Sequence, residues 1–192
     1  MSTDSKIVNI ALLGAAGRMG HAIIETARDY PGVHINAALV ESDSSLLGEP
    51  ADGSVKYSAD VNAALRASDV LLDFATPEAT SAALEACVVA RKPLVIGVTG
   101  MDAKLRARIE AASREIPILT AANMSLGVNL LLQLARTASA ALDESFDIEI
   151  IEAHHQHKKD APSGTALALG DAVATGRGVK LAAHAVYDRA GK

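Results

Sequence analysis

The sequence predicts an α/β protein: a doubly wound parallel sheet followed by the start of a second, α+β domain. Three observations carry this expectation. Apolar runs of strand length alternate with helical patterns from residue 7 to residue 124, an alternation that places right-handed crossover helices against a parallel sheet. Of the 192 residues, 49% are hydrophobic but only 3% aromatic, with no Trp. The core must therefore be built from Ala, Val, Leu and Ile, which suits parallel strands covered by helices. Finally, the first strand runs straight into a glycine turn, Gly14-Ala15-Ala16-Gly17-Arg18-Met19-Gly20, that opens a helix.

Residues 7–13 form that first strand; a glycine turn, not a small-residue cleavage site, follows their apolar run, so they do not read as a secretion signal. A helix follows over residues 21–29, stopped by Pro31-Gly32, and residues 33–40 make the second strand. Glu41 stands at its end, 21 residues after Gly20, where a carboxylate can accept hydrogen bonds from ribose hydroxyls. The spacing Gly14-x-x-Gly17-x-x-Gly20 departs from the commoner G-x-G-x-x-G. Its place between strand and helix nevertheless turns the free N–H groups of a helix start toward a diphosphate. A tight turn without ligand would have the same letters.

Residues 42–58 read as loop, 61–66 as a short helix and 70–74 as the next strand. Thr76-Pro77-Glu78 opens a helix to Ala90, with Pro77 in the first turn, where its missing N–H costs nothing. Residues 93–98 are a strand ending in Gly97-Val98-Thr99-Gly100, Asp102 caps a helix to about residue 114, and residues 117–119 give a last short strand ending in Thr120-Ala121-Ala122-Asn123-Met124. In an open parallel sheet ligands gather outside the carboxyl ends of the strands. The turns at 14–20, 41, 74–76, 97–99 and 121–124 all fall there. Each of the last three, taken alone, reads equally well as a plain connection.

A domain boundary is expected near Ser125, dividing residues 1–125 from 126–192. A long helix over 128–141 leads to residues 146–153, a strand candidate with Ile148, Ile150 and Ile151 among carboxylates. His154, His155, His157, Lys158 and Lys159 gather where it should end. Pro162 holds its predecessor extended, Ser163 suits an N-cap, and the free N–H groups of Gly164 and Thr165 can hold a carboxylate or phosphate. This stretch reads as an anion site beside a proton donor, although a solvated basic loop fits the same residues. No metal is expected, because His154 and His155 point to opposite faces of a continuing strand and no cysteine lies near.

A net charge of −5 offers no basic face for nucleic acid, and no apolar run approaches membrane-spanning length. The one cysteine, Cys87, lies in an apolar helical run, so it is expected as a buried thiol in a reducing, cytoplasmic compartment.

The motifs GAAGRMG, DFATPEA, GVTG, AANMSLGVN and EAHHQHKKDAPSGTA together resemble the dihydrodipicolinate (4-hydroxy-tetrahydrodipicolinate) reductase family of lysine and diaminopimelate synthesis. The resemblance covers essentially the whole chain. It implies a Rossmann-type N-terminal domain that binds NADH or NADPH and a second domain, for substrate binding and oligomerisation, that holds a small cyclic dicarboxylate receiving the hydride. Carried onto this sequence, it implies cofactor contacts at Gly14, Ala15, Ala16, Gly17, Arg18, Met19, Gly97, Val98, Thr99, Ala121, Ala122, Asn123 and Met124. It implies His154 as proton donor or acceptor, Lys158 as proton donor, His155 as a substrate contact, and Gly164 with Thr165 as a carboxylate cradle. Many relatives carry an acidic residue followed by arginine after the second strand, whereas this chain has Glu41-Ser42; Glu41 suits an NADH ribose and would repel a 2′-phosphate. Family members continue with several further strands and associate as tetramers, so the second domain is expected here as C-terminally truncated, with self-association as one way to cover its strand. A dinucleotide-binding fragment without turnover, or another oxidoreductase of the same fold, remains the alternative.

Overall fold

The computed structural model describes residues 7–154, 156 and 161–187. They form two compact units, dividing between Ala121 and Ala122.

The first unit is the expected alternating sheet. Its elements are β1 (Val8–Leu13), α1 (Arg18–Arg28), β2 (Val33–Leu39), β3 (Pro50–Asp52), β4 (Val55–Ser58), α2 (Val61–Ala67), β5 (Val70–Asp73), α3 (Pro77–Ala90), β6 (Leu94–Ile96), α4 (Ala103–Ala112) and β7 (Ile118–Thr120). The strand order is β3-β4-β2-β1-β5-β6-β7. Every pairing is parallel except β3 with β4. The 42–58 segment, expected as loop, therefore contains a small antiparallel hairpin. Its residues lack a long apolar alternation, and what fixes it is register with a neighbour: Tyr57 pairs with Ala38 and Ser58 with Leu39.

Strand alternation sorts the β1 side chains onto opposite faces. Ile10 and Leu12 pack with Ile24 of α1, Ile35 and Tyr57, while Ala11 and Leu13 pack with Leu65, Leu84, Cys87 and Leu105 from α2, α3 and α4. Cys87 is fully buried, as expected. The helix starts follow the cap chemistry of the sequence. Thr76 accepts from the Ala79 N–H at 3.3 Å and Asp102 from the Leu105 N–H at 2.7 Å, each cap satisfying a backbone donor that a helix start leaves unpaired.

The second unit holds α5 (Leu126–Ala141), α6 (Gly164–Gly176) and α7 (Leu181–His184). Ser125 and Ser163 cap α5 and α6, accepting from Val128 N–H at 3.4 Å and Ala166 N–H at 3.0 Å. The strand expected over residues 146–153 does not form: these residues carry no sheet pairing. Their alternation is sound for a strand, but a strand needs a partner edge, and no strand is present among the described residues of this unit. The segment is instead tied by side chains. The Arg177 guanidinium donates to the carbonyls of Asp143 and Phe146.

Candidate active site

In the first unit the strand order reverses between β1 and β5, which run parallel with Leu13 beside Asp73. The carboxyl end of such a switch point is where an open sheet leaves a crevice. The glycine turn sits there. Gly14 takes φ +80°, and both Gly14 and Ala15 donate N–H bonds to the Leu39 carbonyl at 3.1 Å. This folds the chain back on itself, buries Ala15 and half-buries Ala16, and leaves Gly17, Arg18 and Met19 exposed. A Cβ on Gly20 would lie 2.4 Å from the carbonyl oxygens of both Gly14 and Ala15. Only glycine lets α1 start so close to the turn.

The α1 start differs from those of α2 to α6. Gly17 is its N-cap and no side chain accepts from its first N–H groups; as in α2, α4, α5 and α6, its first turn contains no acidic residue. A helix start left this way carries partial positive charge and unpaired donors, the requirement for holding an anion. A Cβ added at Gly17 would touch only the Gly14 carbonyl, at 3.2 Å. The cradle therefore fits the diphosphate of a dinucleotide.

The other expected cofactor residues flank this crevice in part. Glu41 lies exposed just beyond β2, where Val40 N–H still bonds the Ser58 carbonyl at 3.0 Å. Gly97 donates to the Asp73 carbonyl at 2.8 Å, Val98 is buried and Thr99 is exposed. A Cβ on Gly97 would lie 2.1 Å from the Phe74 ring, and one on Gly14 would lie 2.7 Å from the Phe74 carbonyl oxygen. Phe74 thus packs against both glycine turns. Ala121 ends the first unit with its N–H on the Ile96 carbonyl at 3.1 Å; Ala122, Asn123 and Met124 open the second.

Beneath the crevice lies Asp73, which sequence reading left among the strand residues. It is fully buried, its Oδ1 accepts from the Ala75 N–H at 3.0 Å, and its Oδ2 has no partner. Burial pushes its carboxyl above the usual carboxylate range, against the nearby Thr80 hydroxyl, which itself donates to the Thr76 carbonyl, and the Ala75 N–H bond, which pull it down. Burial, with the Asp73 charge added, pushes the Cys87 thiol up to about 12, so this cysteine is inert packing.

In the second unit Asn123 links the two helix starts. Its side-chain amide donates to Thr165 Oγ1 at 3.4 Å, its Oδ1 accepts from Ser125 N–H at 2.8 Å, and the Asn129 amide donates to its carbonyl at 3.0 Å. At the α6 start nothing lies within 4 Å of a Cβ added to Gly164. Among the described residues, then, open space lies on the Cβ side of Gly164, beside the first amides of α6. His154 pairs through Nε2 with Glu152 Oε2 at 2.9 Å, and Glu152 Oε1 accepts from the Ser163 N–H at 2.9 Å. Hydrogen bonds from Ser163, then His154, hold the Glu152 carboxyl down at about 2. His155 and Lys158 lie outside the described residues. Glu152 was missed as a site residue. The available signal was its spacing from His154, because residues two apart on an extended chain share a face.

A switch-point crevice with an uncapped glycine-bound helix start defines a dinucleotide-binding α/β protein. The particular family follows from comparison with known proteins. Residues 8–124 match the model of the dihydrodipicolinate reductase N-terminus and residues 127–190 that of its C-terminus. The 4-hydroxy-tetrahydrodipicolinate reductase of Thiobacillus denitrificans is 49% identical over 190 residues, 96% of this chain and 71% of its own length. That of Alkalilimnicola ehrlichii is 48% identical, over 95% of this chain and 71% of its own. Among solved structures, a dipicolinate-bound dihydrodipicolinate reductase from Paenisporosarcina sp. TG-14 matches with a TM-score of 0.76 at 26% identity, covering 97% of this chain and 71% of that one. The chain belongs to the dihydrodipicolinate reductase family.

Proposed function

We propose that this chain reduces 4-hydroxy-tetrahydrodipicolinate, a cyclic dicarboxylate, to tetrahydrodipicolinate with NADH or NADPH, in lysine and diaminopimelate synthesis. The observation that carries the reading is the α6 start, with open space beside Gly164, joined through Glu152 to the imidazole of His154. Family membership across both units supports it. The bound nicotinamide supplies the hydride. The Gly14–Met19 turn and the α1 amides hold the diphosphate, with Gly97, Val98, Thr99, Ala121, Ala122, Asn123 and Met124 lining the rest of the cofactor path. Gly164 and Thr165 amides take one substrate carboxylate and His155 contacts the substrate. Hydride arrival leaves negative charge on the ring, which the Lys158 ammonium stabilises and then protonates, with His154 as the second proton-handling group. Glu41 next to Ser42 favours NADH, since its carboxylate opposes a 2′-phosphate.

Self-association belongs to the same reading, as tetramers in the family. In its support, Leu126, Leu130 and Leu134 stand four residues apart on α5 and are all exposed, Leu126 at 85%, and Phe146 and Ile151 are exposed as well, apolar area of the kind that marks an interface. A cytoplasmic place suits the free, buried Cys87. Cofactor oxidation measured with and without freshly made substrate tests the proposal. Substrate-dependent oxidation is expected, and Lys158→Ala should lower turnover far more than cofactor affinity. NADH binding with no oxidation would reduce the chain to a dinucleotide-holding module.

A further inference from the structure

The residues 146–154 have no ladder hydrogen bonds to hold them, yet their last side chain is the imidazole that the proposed reaction needs in one orientation. Two contacts address this. Glu152 reaches one way to His154 Nε2 and the other way to the Ser163 N–H, both at 2.9 Å. Ser163 is the N-cap of α6: its hydroxyl oxygen accepts from the Ala166 N–H, which leaves its O–H to donate towards Glu152. The carboxylate of Glu152 is therefore a bracket with one arm on the imidazole and one on the helix start that cradles the substrate carboxylate.

The bracket also decides which ring nitrogen is free to react. A carboxylate only accepts hydrogen bonds, and Glu152, held ionised by the Ser163 and His154 bonds, stays an acceptor throughout the neutral range. The nitrogen facing it must then carry a proton, and a neutral imidazole has its lone pair on the other nitrogen. We infer that Glu152 is a positioning residue for the reduction, fixing His154 as the Nε2–H tautomer so that Nδ1 handles the proton, and tying the imidazole to the carboxylate cradle at Gly164 and Thr165. This rests on the reading of His154 given above. The chemistry is that of a carboxylate behind a catalytic histidine, where loss of the acceptor leaves geometry intact and reverses the tautomer.

Glu152→Gln separates charge from shape. The amide oxygen can still accept from Ser163 N–H, so the α6 cap is preserved, but the amide NH2 must donate toward His154 and forces the ring proton onto Nδ1. Nitrogen-15 shifts of the His154 ring, assigned by their loss in His154→Gln, should move from the Nε2–H to the Nδ1–H pattern. Turnover should fall about tenfold to a hundredfold, as for loss of other orienting partners, while KM for the diacid and the affinity for NADH change by no more than about threefold. Glu152→Asp keeps the charge but shortens the reach, so turnover should fall there as well, with NADH affinity retained. Unchanged ring shifts in Glu152→Gln, or turnover within about twofold of the parent in both variants, overturn the bracket. Full turnover in His154→Gln would instead overturn the assignment of His154, and with it the catalytic half of this inference, whatever the ring shifts show.

Discussion

Replacing Gly20 by Ala sets two effects of opposite sign against each other. Gly20 is the third residue of α1, and on helix propensity alone alanine there should stabilise by up to about 1 kcal/mol. The added Cβ, however, would sit 2.4 Å from two backbone oxygens, those of Gly14 and Ala15. An ordinary carbon-to-oxygen contact is about 3.3 Å, so α1 must withdraw from the turn by roughly 1 Å or the turn must open. Neither oxygen belongs to a side chain that can swing away. Overpacking of this kind costs about 1–3 kcal/mol, which exceeds the propensity gain. The net expectation is a loss of up to about 2 kcal/mol, or up to roughly 8 °C in the melting of the first unit at about 4 °C per kcal/mol. Withdrawal also takes the α1 amides away from the diphosphate, so NADH affinity should fall by about tenfold or more, a larger effect than the stability loss predicts. Thermal unfolding and calorimetric NADH titration read the two effects separately. Gly17→Ala is the contrast: its Cβ meets only one oxygen, at 3.2 Å, so melting should stay nearly unchanged while NADH binding weakens. A Gly20→Ala protein that melts higher and binds NADH as tightly as the parent would refute the reasoning.

Asp73→Asn should raise the melting temperature at neutral pH. Its folded carboxyl is pushed above 3.8 by burial, so the folded state holds that proton more tightly than the unfolded chain. The resulting cost to stability grows as pH rises from 3.8 through the folded value. The variant keeps the Ala75 N–H acceptor and removes the charge; its advantage should vanish below pH 3.8, and an advantage that persisted there would point to packing instead. Glu41→Gln should lower KM for NADPH about fivefold, the effect of removing about 1 kcal/mol of repulsion at contact distance in water, with little change for NADH; steady-state kinetics with both cofactors would show it. Hydrogen exchange should be slower in β1 and β5 than in α5 and α6. In the second unit Ala174 is the one buried hydrophobic residue among those described, so local opening there is cheap. Equal protection in dilute protein would contradict this.

The first unit was legible because its signals are local and repeated. Alternation of apolar runs, Pro77 at a helix start, and the caps at Thr76 and Asp102 each act within a few residues, and each was found where the letters put it. The glycine turn was legible for the same reason, since its strand, turn and helix lie on one continuous stretch, Val8 to Arg28. What failed was decided at longer range. Residues 50–58 became a hairpin through register with β2, which their own pattern does not encode. Residues 146–153 carry the period of a strand, but period is only half of a strand, and the other half is a paired edge. The site shows the same division: Ser163 as a cap could be read from Pro162-Ser163-Gly164, whereas the bond from Ser163 N–H to Glu152, eleven residues earlier, could not.

That long-range bond bears on how the second unit meets acid. Glu152 titrates at about 2 in the folded protein, against an ordinary 4.5. A depressed carboxyl contributes stability that is complete above the unfolded value and is lost as pH falls through the folded one. The window is thus from about 4.5 down to about 2, and the bracket stays charged at any pH where a biosynthetic reductase is assayed. A pH dependence of turnover near neutrality must then arise from a group other than Glu152, whose part is orientation. As pH falls from about 4.5 towards about 2 this stabilisation is lost, until protonated Glu152 loses its hold on Ser163 and His154, and the 146–154 segment should loosen before the sheet of the first unit does. Far-ultraviolet dichroism, dominated by the helices and sheet, should therefore change at lower pH than a probe placed on the 146–151 segment. Coincident transitions of the two signals, or a segment transition unshifted by Glu152→Gln, would show that other charges hold this part of the chain.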